Sequence, residues 1–120
     1  MQRDTNLVII GQGDGEWGVL AAALREAGCF VDLASDAHED SFHQKSYHLA
    51  LIDASDPLID GIEVLHVLKR MCPDTKAMVL GSGDCLQQSL NALLAGACSC
   101  LMRPFEIEEI VATVKQVLGM

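Results

Sequence analysis

Four short clusters hold the residue types best suited to chemistry. They are Gly11-Gln-Gly-Asp-Gly-Glu16, Asp53-Ala-Ser-Asp-Pro-Leu-Ile-Asp60, Gly81-Ser-Gly-Asp84 and the pair Arg103-Pro104. Carboxylates recur in three of them, and the fourth carries a guanidinium. An acid at the end of an apolar run can also do no more than cap the turn that follows, so Asp53 has a purely structural reading as well. The other reactive types are less promising. His38, His43, His48 and His66 show no metal-ligand spacing. The five cysteines, Cys29, Cys72, Cys85, Cys98 and Cys100, are odd in number and lack paired spacing, which argues against a disulfide framework. No second pair follows Cys98-x-Cys100 to complete a zinc site. The thiols are expected to be buried and free.

The elements that must position these clusters follow from hydrophobic periodicity. Leu7–Ile10, Phe30–Leu33, Leu49–Ile52, Ala77–Leu80 and Ser99–Arg103 are short apolar runs of the kind found in strands. Between them, apolar residues recur at helical spacing: Trp17, Leu20, Ala21 and Leu24; a weak polar stretch at 36–46; Ile62, Leu65 and Leu68 within Gly61–Met71; Leu86, Leu90, Leu93 and Leu94; and Ile107, Ile110, Val111, Val114 and Leu118. Five strands alternating with five helices predict an α/β domain of flavodoxin-like (βα)₅ type, one doubly wound parallel sheet with helices on both faces, spanning residues 1–120 as one domain. In such sheets ligands gather beyond the carboxyl ends of the strands. All four clusters fall there.

Asp53 precedes Pro57 by four positions and Asp60-Gly61 by seven and eight, and Ala95-Gly-Ala97 is followed by Arg103-Pro-Phe105. This pattern resembles the receiver domain of bacterial response regulators (the CheY-like superfamily) over essentially the whole chain. The resemblance implies strand order 2-1-3-4-5, phosphoryl transfer from a sensor histidine kinase onto Asp53, and a cis peptide before Pro104 that sets residue 103 over the site. It also implies Mg²⁺ held by an acidic pair after the first strand, a lysine before the proline, a hydroxyl after the fourth strand, and an aromatic switch residue three before the lysine. Here those positions carry Gly11 and Gln12, Arg103, Gly81 and Cys100. Asp14 or Glu16, swinging back, or Asp56 could rescue a Mg²⁺ site, and no cofactor is otherwise expected. Losing one preorganised charge-stabilising group costs about 3–4 kcal/mol in a transition state, and here two kinds are altered together. The expected function is an atypical receiver of a two-component system. It retains Asp53, is not an enzyme, and acts through protein contacts with weak or no phosphorylation.

Two alternatives accompany this reading. One is an ordinary phospho-accepting receiver. The other is a Rossmann-like nucleotide-binding domain, because Val8-Ile-Ile-Gly-Gln-Gly-Asp-Gly-Glu16 resembles the opening of a dinucleotide-binding fold and Asp36 lies at a distance suited to a ribose. Glu16 stands where the third glycine should be, and two carboxylates beside a pyrophosphate are repulsive. The formal charge of −9 argues against direct contact with nucleic acid or anionic membrane. The partners expected are a histidine kinase, an output domain or a second copy, through the face formed by the fourth helix, fifth strand and fifth helix. No signal peptide or membrane-length segment is visible, which predicts a cytoplasmic protein.

Overall fold

The computed structural model describes residues 5–11, 15–34, 47–54, 61–81, 91, 93–102 and 106–119. Its elements are β1 (Asn6–Ile10), α1 (Gly15–Glu26), β2 (Phe30–Ala34), β3 (Leu49–Asp53), α2 (Gly61–Met71), β4 (Lys76–Gly81), β5 (Ser99–Met102) and α3 (Ile107–Leu118). Asn91, Leu93 and Leu94 are also helical. The predicted helix at 36–46 lies outside the described residues.

The five strands form one parallel sheet in the order β2-β1-β3-β4-β5. This is the flavodoxin-like order, not the 3-2-1-4-5 order of dinucleotide-binding sheets, so the topology departs from the nucleotide-binding alternative. Period-two alternation along the strands sends side chains to opposite faces. Leu7, Ile9, Leu49, Leu51, Met78 and Leu80 meet α1 and α3 through Leu20, Leu24, Ile110 and Val114. Val8, Ile10, Ala50, Ile52, Ala77 and Val79 meet α2 through Val64, Leu65 and Leu68. Helices cover both faces, which is why the strands read as continuous apolar runs rather than alternating ones. The central strand β3 is buried along its whole length.

Polar groups tie the margins. The buried Thr75 donates its hydroxyl to the Tyr47 carbonyl at 2.7 Å, and the Tyr47 hydroxyl donates to Asp32 Oδ2 at 2.8 Å. Burial, with the hydrogen bond to Asp32 and that residue's charge adding to it, pushes the Tyr47 phenol up to about 12. Gly96 turns the chain into β5 at φ 111°, and a Cβ there would meet Lys69 Cε at 2.8 Å, so this position of the Ala95-Gly-Ala97 motif demands glycine.

Leu93 and Leu94 are exposed, the latter at 85%, so their helical spacing does not mark a packed face. Apolar periodicity marks a stripe without saying what covers it. The cysteines are free among the described residues but not uniformly buried: Cys29 is buried, Cys72 and Cys100 half-buried, and Cys98 exposed. Cys98 follows the buried Ala97 at the bend into β5 and so points to the other side of the chain.

Candidate functional site

Parallel register brings the site together. Ile10 pairs with Ile52, so Gly11 and Asp53 leave the sheet side by side at the carboxyl ends of β1 and β3. Gly11 is anchored by its own N–H, which donates to the Ala34 carbonyl at 2.8 Å, and Ala54 N–H donates to the Leu80 carbonyl at 2.8 Å just beyond Asp53. Asp53 is 6% exposed, a buried carboxylate in an otherwise apolar strand. A buried charge must be hydrogen-bonded or paired to persist. One donor comes from α1: Trp17 Nε1–H bonds Asp53 Oδ2 at 2.9 Å, and the indole is only 2% exposed.

Gly11 makes this contact feasible. A Cβ placed on it would lie 3.1 Å from Asp53 Cβ, 3.1 Å from Trp17 Nε1 and 3.2 Å from Trp17 Cδ1. Those separations are tighter than ordinary van der Waals contact, so a side chain at position 11 would require Trp17 or Asp53 to give by a few tenths of an ångström. The small residue and the large one fit as a pair.

Other expected site residues fall into place unevenly. Gly81 is buried at the end of β4, one step past the Leu80 that pairs with Asp53, and brings no hydroxyl. Cys100 is half-buried in β5 opposite Val79 and packs with the α2-side core. Gln12, Asp14, Asp56, Arg103 and Pro104 lie outside the described residues. Among the described residues no group of three or more His, Cys, Asp or Glu side chains could hold a metal ion. His48 and His66 are exposed, and His48 Nδ1 accepts the Asn6 N–H at 3.0 Å. Sequence reasoning missed Trp17, which its helical spacing assigns to the core alone. The available signal was chemical: a buried indole N–H ordinarily finds an acceptor.

A parallel sheet in this order, with a buried acid at the tip of its central strand, narrows the families that need comparison. The sequence model for the response regulator receiver domain matches residues 17–115. The chain belongs to that family. Among this receiver's relatives, the transcriptional regulatory protein TctD of Salmonella typhimurium is 31% identical over 101 residues, covering 82% of this chain and 45% of the relative. The two-component response regulator PhoP of Pseudomonas aeruginosa is 30% identical over 101 residues, with the same coverage of each chain. The receiver therefore spans about half the length of the curated relatives it matches. Its fold is shared by a two-component response regulator from Clostridium difficile, with a TM-score of 0.85 at 24% identity and 97% of each chain covered. It is shared equally by the beryllofluoride-activated NtrC4 receiver domain dimer, with a TM-score of 0.84 at 22% identity, covering 95% of this chain and 96% of that one. No helix among the described residues is long and apolar enough to cross a membrane.

Proposed function

We propose that this two-component receiver keeps Asp53 as its acceptor carboxylate but relays its signal mainly through protein contacts, with weak or no phosphorylation. In the family's reaction an aspartate oxygen forms a bond to phosphorus as the bond to the donor's histidine nitrogen breaks. The phosphoryl group carries negative charge, so transfer depends on positive charge collected at the acceptor. Family resemblance implies Mg²⁺ for that purpose. The described residues do not fit such an ion. Gly11 supplies no carboxylate, and Trp17 directs the positive end of an N–H dipole at one of the two Asp53 carboxylate oxygens. Mg²⁺ binds through one or two carboxylates in near-octahedral geometry, and the described residues bring only Asp53 to this edge. The indole over Asp53 is the observation that carries the reading.

Contacts with a histidine kinase, an output domain or a second copy remain the means of signalling. Leu93 and Leu94, helical residues just before β5, are exposed, which supports a contact surface there. Incubation with acetyl phosphate, or with beryllofluoride, in the presence of Mg²⁺ and followed by mass spectrometry, tests the proposal. Little or no modification of Asp53 is expected, and partner binding is expected to survive Asp53→Asn. Rapid, stoichiometric modification at Asp53 would return the domain to the ordinary phospho-accepting class.

A further inference from the structure

We infer that Trp17 is a positioning residue that gates Asp53, closing the acceptor with the protein's own first helix. This inference rests on the reading above and names the residue that enforces it. Trp17 lies in the first turn of α1, which begins at Gly15, while Asp53 ends a strand paired on both sides. The strand that carries the carboxylate is held on both sides, whereas the indole rides on the start of a helix. The two side chains are almost wholly buried, and the 2.9 Å bond joins the indole N–H to Oδ2. An incoming cation or phosphoryl group that takes Oδ2 has to displace the indole N–H.

Gly11 is the second half of the device. With no side chain it leaves the room the indole fills, and a Cβ there would crowd Trp17 Nε1 and Asp53 Cβ at 3.1 Å each. A carboxylate at position 11 would both bind a cation and disturb the gate, yet the ring would still compete for the same space. The substitutions at 11 and 17 must then act together. Opening of the gate falls to whatever displaces the start of α1.

Calorimetric Mg²⁺ titration and fluorine NMR of beryllofluoride capture, on the full chain, measure the coupling. Gly11→Asp alone is expected to gain little. Gly11→Asp combined with Trp17→Leu is expected to bind Mg²⁺ about ten- to a hundredfold more tightly than Gly11→Asp, the factor that corresponds to one hydrogen bond to a charged group. Equal affinity in the single and double variants would overturn the gate. Should the double variant not fold, the sole tryptophan still gives a readout. Its indole N–H is expected to exchange slowly with solvent and to shift and exchange faster in Asp53→Ala. An indole resonance indifferent to that change would also overturn the gate. The two readings separate cleanly: fast phosphorylation of the unmodified protein defeats the proposed function, whereas slow phosphorylation with no gain on adding Trp17→Leu to Gly11→Asp defeats the gate alone.

Discussion

Removing the indole N–H and the Asp53 carboxylate separately and together should reveal a coupling that neither single change shows. Trp17→Phe keeps most of the buried ring and deletes the donor. Asp53→Ala deletes the acceptor and leaves the indole N–H facing an emptied space. Both groups are under a tenth exposed and their bond is 2.9 Å, so solvent screens it little. A hydrogen bond to a charged group contributes about 1.5–3 kcal/mol to stability, and that is the coupling energy expected from the cycle. Either single variant can shift stability in its own direction, because Asp53→Ala also removes a buried charge whose desolvation is costly. Only the difference of differences isolates the pair. Urea unfolding is the assay. With a denaturant slope of about 1–3 kcal/mol/M, a coupling near 2 kcal/mol displaces the midpoint of the double variant by about 1 M from the sum of the singles. Additivity to within about 0.5 kcal/mol would refute the claim that this bond holds the site.

Four further outcomes are expected. Leu51→Ala, in the fully buried centre of β3, should destabilise the fold by about 2–5 kcal/mol, whereas Leu94→Ser, at 85% exposure, should change unfolding by no more than about 0.5 kcal/mol. Gly96→Ala should cost more than about 1 kcal/mol in thermal or urea unfolding, because φ 111° is unfavourable for a residue with a Cβ and the Lys69 side chain occupies its place. The Tyr47 phenol holds its proton more tightly in the folded state than at its ordinary value of 10.0, so its contribution to stability is complete below about pH 10 and is lost as pH rises toward about 12. Tyrosinate absorbance of this single tyrosine should follow that late titration, and Tyr47→Phe should reduce the slope. Among the described cysteines, peptide mapping after brief alkylation should find the exposed Cys98 modified first and Cys29 last, since burial both hides Cys29 and raises its pKa.

Much of the architecture was legible because both faces of the sheet are covered. Leu7–Ile10, Leu49–Ile52 and Ala77–Leu80 could be nothing but inner strands once they alternated with helical spacing, and Gly61–Met71 and Ile107–Leu118 kept their predicted bounds. Strand order came from the motif resemblance rather than from periodicity, which is silent on neighbours. The leucines at 93 and 94 are helical as their spacing predicted, but the pattern was silent on their exposure, because burial depends on what packs above a helix. Gly11 and Gly81 could be recognised as departures by type alone. Trp17 could not, because its partner is 36 positions away and only the crossover from β1 through α1 brings the two together. A periodic slot describes an indole's bulk and omits its N–H.

The central placement of β3 bears on how fast such a site can respond. Its backbone is hydrogen-bonded to β1 and β4 from Leu49 onward, so shifting the acid itself would mean breaking ladders on two sides, an event on the timescale of local unfolding. Displacing the first turn of α1, which carries the buried Trp17, breaks no ladder of the sheet. Any input written at this edge is therefore recorded by the surroundings of a stationary charge, and the sheet need not rearrange for the message to be read.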